Sequence, residues 1–230
     1  MALSEAQAII DEDREACTAM GEFGRQELEG VTNILTHCNT GRLATAGWGT
    51  ALGVIYAKDA AGEPVKVYSS ESRPLLQGAR LTTWELMDAG IDVTLIPDGA
   101  DAGLMAKGMV EAVIVGADRI ALNGDTANKV GTFSHAVNAR YAGIPFYVAA
   151  PLSTFDPTIA SGAEIEIEIR SSEELSMWRS EQTAPADVST WNPAFDVTPG
   201  ELITAIFTEV GVIRPPYEQS IPRALERLNS

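Results

Sequence analysis

Two residues whose types suit proton transfer stand where short apolar runs end. Cys38 follows the run Val31–Thr36 inside THCNTGRLATAGWGTALG (36–53), and Asp118 follows Ala112–Val115 inside VIVGADRIALNGDTANKVGT (113–132). A carboxylate delivered past a buried strand is costly unless it is paired or used. Desolvation raises its pKa toward the range of a general acid or base working near neutrality. The thiol has two readings. Backbone N–H groups of the Gly- and Thr-rich loop and of the next helix would suit an anion and lower the pKa of Cys38, or Cys38 is a small buried hydrophobe. Beyond Asp118, Asn123-Gly124-Asp125 signals a turn. Asn128-Lys129 is expected to open a helix, where an ammonium and free N–H groups would take a phosphate. The GxxxxGK[ST] phosphate loop is absent from the sequence. In YSSESRPLLQGARLTTWEL (68–86), Arg73-Pro74 is expected to begin a helix that carries Gln77 and Arg80 one turn apart, facing either a ligand or solvent.

The elements that must position these residues alternate. Apolar β-type runs at Val31–Thr36, Val65–Tyr68, Val93–Ile96, Ala112–Val115 and Phe146–Ala149 are separated by helical stretches near 46–58, 74–89, 100–107 and 127–142. Gly90, Gly108, and Gly143 with Pro145 are the helix stops. The pattern predicts an α/β fold with a Rossmann-like, doubly wound, mostly parallel sheet. In such sheets ligands sit beyond the carboxyl ends of the strands. An amphipathic helix over 3–29 precedes the first strand. AEIEIEI (163–169) reads as a further strand, 171–199 as a long loop, and 199–210 as a last helix with Thr198 as N-cap and Pro199 at its first position.

Of the 230 residues, 45% are hydrophobic and 21% charged, enough for a packed core. The net charge of −16 argues against nucleic acid as a partner and requires an anionic substrate to be held by local positive groups. Cys17 and Cys38 have neither disulfide-framework nor zinc spacing, which fits a reducing cytoplasm. The N-terminus lacks the basic start of a signal peptide. No apolar run approaches the roughly 20 residues needed to span a bilayer, so no membrane association is expected.

THCNTGRLATAGWGTALG, ESRPLLQGARLTTWEL, VIVGADRIALNGDTANKVGT, GIPFYVAAPLSTFD and WNPAFDVTPGELITAI together resemble the methylthioribose-1-phosphate isomerases of methionine salvage. These belong to the superfamily that also holds the regulatory subunits of the translation initiation factor 2B complex. The resemblance runs from about Ala6 to Tyr217. It implies a catalytic pair, Cys38 and Asp118, and substrate-binding roles for Gln77, Asn128 and Lys129, the last two on the phosphate side. It implies neither metal nor organic cofactor, a cytoplasmic homodimer, and conversion of 5-methylthioribose 1-phosphate to 5-methylthioribulose 1-phosphate. The alternatives are isomerisation of 5-deoxyribose 1-phosphate or ribose 1,5-bisphosphate at the same site, or a non-catalytic regulatory protein like the initiation factor subunits. A nucleotide-binding Rossmann domain is argued against by the lack of GxGxxG after the first strand.

The resemblance also implies an N-terminal helical domain ahead of this segment, contributing a Gly-Ala motif with an arginine and a second arginine to the phosphate pocket. Residues 1–29 are then the linker helix and 30–230 the catalytic domain. On that basis the chain alone is expected to be a weak or inactive isomerase unless Arg42, Arg73 or Arg80 turns into the cleft. Two departures from the family pattern are Ser70, where an aspartate is common, and the stretch 178–186.

Overall fold

The computed structural model describes residues 2–228. The chain opens with α1 (Ala2–Glu27) and continues through β1 (Asn33–Thr36), α2 (Ala51–Ala60) and β2 (Lys66–Ser70). A π-helical turn, Gly78–Thr82, runs into α3 (Thr83–Asp88), followed by β3 (Asp92–Ile96), α4 (Asp101–Ala106) and β4 (Ala112–Val115). Then come β5 (Arg119–Ile120), β6 (Thr126–Lys129), α5 (Thr132–Ala142) and β7 (Phe146–Ala149). The last part holds α6 (Glu173–Ser176), β8 (Met177–Trp178), β9 (Glu181–Gln182), β10 (Phe195–Thr198), β11 (Ala205–Thr208), β12 (Gly211–Ile213) and α7 (Tyr217–Leu228).

The main sheet runs β12-β11-β7-β4-β1-β2-β3, parallel except for the edge strand β12. Neighbouring residues on its strands enter opposite cores. Leu35, Tyr68, Val113, Val148 and Ile206 pack with residues of α4, α5 and α7. Ile34, Val67, Ile114, Tyr147 and Phe207 pack with residues of α2 and α3. The sheet is therefore doubly wound, and β1, β2, β4, β7 and β11 are buried on both faces and read as continuous apolar runs, whereas the edge strand β3 leaves Asp92 and Leu95 exposed. Chain order reverses between β1 and β4, so their carboxyl ends flank the topological switch point, where folds of this kind bind ligands. Gly108 and Gly143 end α4 and α5 at positive φ, 68° and 72°, as expected of helix stops.

The helix over 3–29 forms as α1, but only its second half is covered. Gly21 and Gly24 lie so close to α2 that an added Cβ would meet Gly53 O at 2.9 Å and Val54 Cγ2 at 2.3 Å, whereas Leu3 and Ile9 are exposed.

Four expectations are corrected. The first helix after β1 starts at Ala51, not near 46, because the turn at Gly49 is tied back by Thr50 N–H to Thr40 O (2.8 Å). Asn128 and Lys129 do not open a helix. They belong to β6, which pairs antiparallel with β10 (Asn128↔Asp196, Lys129↔Phe195), and α5 begins only at Thr132. The 163–169 segment forms a 3-10 turn, Gly162–Glu164, and then an extended stretch whose Ile169 makes a single bridge to Pro193. The expected helix over 199–210 is a 3-10 turn, Gly200–Leu202, followed by the fully buried strand β11. A slot between β7 and β12 outweighs the local helix-start signal there. The C-terminal helix α7 had no counterpart in the sequence reading.

Candidate active site

Cys38 lies two residues beyond β1 and Asp118 three beyond β4, on adjacent parallel strands registered Ile34↔Ala112 and Leu35↔Val113. Cys38 has φ 64°, a left-handed conformation unusual for a side-chain-bearing residue, and its surroundings hold it there from both sides. Its N–H donates to Ser72 Oγ (2.8 Å), and its carbonyl accepts from the Thr82 hydroxyl (2.6 Å). Ser72 and Leu76 share the left-handed conformation, so the backbone is contorted around the candidate thiol. The carboxylate of Asp98 takes the N–H groups of Ser72 and Arg73, both at 2.7 Å.

The loop after Cys38 is organised by Glu85, a fully buried carboxylate on α3. It accepts from Asn39 Nδ2 (2.9 Å), Arg42 N (2.7 Å), Leu43 N (3.3 Å) and the Tyr56 hydroxyl (3.3 Å). Burial and this carboxylate push the Tyr56 phenol up to about 12. β4 leaves the sheet directly beneath the loop, where a Cβ on Gly116 would meet Thr40 Cγ2 at 2.6 Å.

Burial raises the Cys38 thiol above its ordinary 9.0. The Asn39 N–H and Lys129 pull it down and Asp118 pushes it up, but desolvation dominates. The expectation that loop and helix N–H groups would lower this pKa is thus corrected: Cys38 is a protonated thiol near neutrality. The Asp118 side chain reaches solvent while protein atoms crowd the carboxyl. Desolvation raises it above its ordinary 3.8, with Lys129 opposing. Cys38, Asp118 and Lys129 therefore lie within electrostatic reach of one another.

Lys129 is buried, with Nζ donating to Ala194 O (2.9 Å) and lying 4.4 Å from the Phe195 ring centroid. Among the described residues it forms no ion pair. Asn128 is buried beside it and donates to Thr132 Oγ1 (3.0 Å). Two N–H groups at the start of α5 are not open to an anion as expected, because Asp196 on β10 accepts from Gly131 N (2.7 Å) and Phe133 N (3.1 Å). Gln77 precedes the π-helical turn, and its Oε1 is buried without a partner, an orphan that a ligand hydroxyl or amide could satisfy. Arg80 separates from Gln77: it is exposed and donates to Leu75 O. Arg42 is tied to Asp88 (3.0 Å), and Arg73 lies 5.6 Å from the Trp178 ring centroid. The sequence reading missed Glu85, Asp196 and a buried pair of histidines. The only signal for the pair is that the chain has just two histidines, one of them next to Cys38.

The initiation factor 2 subunit family model matches residues 1–215. The methylthioribose-1-phosphate isomerase of Desulforudis audaxviator is 57% identical over 223 residues, covering 97% of this chain and 64% of its own length. The 5-deoxyribose 1-phosphate isomerase of Moorella thermoacetica is 57% identical over 225 residues, covering 98% and 64% respectively. Among solved structures, the translation initiation factor eIF-2B subunit delta of A. fulgidus superposes with a TM-score of 0.94 at 50% identity. That match covers 98% of this chain and 66% of that one. The chain thus spans 64% of the length of these two curated relatives. With the family model matched over most of the chain and the fold shared throughout, the chain belongs to the initiation factor 2 subunit family.

Proposed function

We propose that this chain is the catalytic part of an aldose–ketose isomerase that converts 5-methylthioribose 1-phosphate to 5-methylthioribulose 1-phosphate, with Cys38 and Asp118 as its acid–base pair. The observation that carries the reading is the emergence of a thiol and a carboxyl, both with raised pKa, from adjacent strands at the switch point with a buried ammonium beside them. The relatives' names supply the substrate class.

The chemistry calls for these residue types. Phosphate on the anomeric oxygen blocks ring opening by simple hemiacetal exchange. The bond from C1 to the ring oxygen breaks as that oxygen takes up a proton from one protein group. Hydrogen then moves from C2 to C1, and O2 gives its proton to the second group, leaving a ketone. One group enters protonated and the other does not, and the proton count balances.

This pair sets the pH dependence. The Asp118 carboxyl lies above its ordinary 3.8, so kcat/KM is lost as pH falls through that raised value. The thiol lies above its ordinary 9.0, so kcat/KM is lost again as pH rises through the raised Cys38 value. The bell keeps its shape whichever group enters protonated. A pH–rate profile with its alkaline loss centred below 9.0 would contradict the pairing.

Gln77, Asn128 and Lys129 are proposed to bind substrate, with Lys129 on the phosphate. A phosphate anchor grips ground and transition states alike, so Lys129→Ala is expected to raise KM by about 10–100-fold with kcat nearly unchanged. A large fall in kcat at constant KM would refute that role.

The regulatory alternative shares this fold, as the superposition on an initiation factor subunit shows, and the fold alone does not separate the two readings. Turnover of the sugar phosphate separates the two readings. Isomerisation of 5-deoxyribose 1-phosphate stays within the same site chemistry, and a direct comparison of kcat/KM for the two sugars decides between them. The partner proposed is a second copy of the chain, seated on the apolar face of Phe133, Val137, Ile169 and Trp191. The proposed compartment is the cytoplasm, in keeping with two unpaired cysteines. Residues 1–29 are proposed as the linker and 30–230 as the catalytic domain.

A further inference from the structure

The chain's two histidines, His37 and His135, are 98 residues apart in sequence and meet behind the site, both buried. His37 Nε2 lies 2.9 Å from the Val130 carbonyl oxygen. A carbonyl only accepts, so Nε2 carries the proton and Nδ1 is left as an acceptor. Burial, with the charge of His135 next in weight, pushes the His37 imidazolium down to about 3 and keeps the ring neutral. Three groups converge on Nδ1: Ser70 Oγ at 2.5 Å, His135 Nε2 at 3.2 Å and Ser72 Oγ at 3.3 Å. Ser72 Oγ is the atom that accepts the Cys38 N–H. His135 is held from behind, its Nδ1 2.7 Å from Asp101 Oδ2, which also accepts from Asn138 Nδ2 (2.9 Å).

One imidazole thus touches both halves of the candidate site. Its Nδ1 edge reaches Cys38 through Ser72, and its Nε2 edge reaches the carbonyl of the residue after Lys129. Burying so many polar groups gains little stability over a well-packed apolar core, whereas a misplacement of about 1 Å at a reacting group can cost on the order of 100-fold in rate.

We propose that His37 is a positioning residue that fixes Cys38 relative to Lys129, its Nδ1 edge serving the thiol and its Nε2 edge serving the phosphate anchor, with His135 and Asp101 holding the ring in register. Its consequence for turnover rests on the isomerase reading, but its effect on the thiol does not.

Two conservative variants cut the ring in half. In His37→Gln the amide nitrogen reaches where Nε2 stood and keeps the Val130 contact, but the Nδ1 acceptor is lost. In His37→Asn the amide oxygen stands in for Nδ1, but the Val130 contact is lost. His37→Gln is expected to lower kcat by about 100-fold with KM within about 3-fold. His37→Asn is expected to raise KM by about 10-fold with kcat within about 3-fold. Alkylation of Cys38 by iodoacetamide, read by mass spectrometry of its peptide, should change by more than about 3-fold in His37→Gln and stay within that range in His37→Asn. Parallel changes in both variants, or none in either, would overturn the proposal, since a merely structural histidine gives no such split. If the wild type turns over no sugar phosphate, the alkylation contrast alone decides this proposal. If neither variant folds, the 15N imidazole spectrum of the wild type decides: an Nε2–H tautomer at His37 supports the wiring and an Nδ1–H tautomer overturns it.

Discussion

Replacing Cys38 by serine or Asp118 by asparagine is expected to lower kcat/KM for the sugar phosphate by about 10²–10⁴-fold, with the fold unchanged. That range corresponds to about 3–5 kcal/mol of transition-state stabilisation. Each substitution is nearly isosteric. Serine keeps the small side chain, and the Cys38 backbone stays held by Ser72 and Thr82. The Asp118 side chain forms no hydrogen bond or ion pair among those found in the described residues, so asparagine leaves no broken network behind. Asp118→Asn also removes a charge that raises the thiol pKa, so Cys38 should alkylate somewhat faster in that variant. Steady-state kinetics beside thermal melting checks the pair of claims. Full turnover in either variant would remove that residue from the mechanism.

The largest stability effect is expected at Glu85. Glu85→Ala strips the acceptor from Asn39 Nδ2, the N–H groups of Arg42 and Leu43, and the Tyr56 hydroxyl at once. Leaving these donors without their acceptor costs about 1–3 kcal/mol for each that stays buried, which for a chain of this size lowers Tm by about 10 °C. Glu85→Gln keeps one acceptor oxygen and should fall between the two. Because Asn39 and Arg42 belong to the loop after Cys38, the alanine variant should lose isomerase activity even below its own Tm. A melting temperature unchanged by Glu85→Ala would mean that the loop is held by something other than this carboxylate.

The parts of the fold legible in sequence are those whose identity is set locally. The runs that became β1, β2, β4 and β7 are apolar because both faces of the sheet are covered there, the edge strand β3 is only partly covered, and glycines at positive φ end the helices before all five. Cys38 and Asp118 could be placed at the carboxyl edge for the same reason. What was not legible depends on partners far along the chain. Asn128 and Lys129 adopt strand conformation through pairing with Asp196 and Phe195, and Asp196 then caps the helix start that looked free for an anion. β11 follows a local helix-start signal, yet its four residues are fully buried between β7 and β12. The thiol pKa moved opposite to expectation because burial around Cys38 outweighs the nearby N–H groups, and burial is a property of the assembled fold. The meeting of His37 with His135 across 98 residues is visible only in three dimensions.

The central claim, that Cys38 and Asp118 at the switch point form an isomerase acid–base pair, is tested most directly by 13C NMR. The purified protein is incubated with methylthioribose 1-phosphate labelled at C2, beside its Cys38→Ser and Asp118→Asn variants at equal concentration. The expected result is a ketone carbon signal growing above the buffer blank with the wild type, and at most about one-hundredth of that rate with either variant. Equal rates of ketone formation above the blank in all three proteins would contradict it.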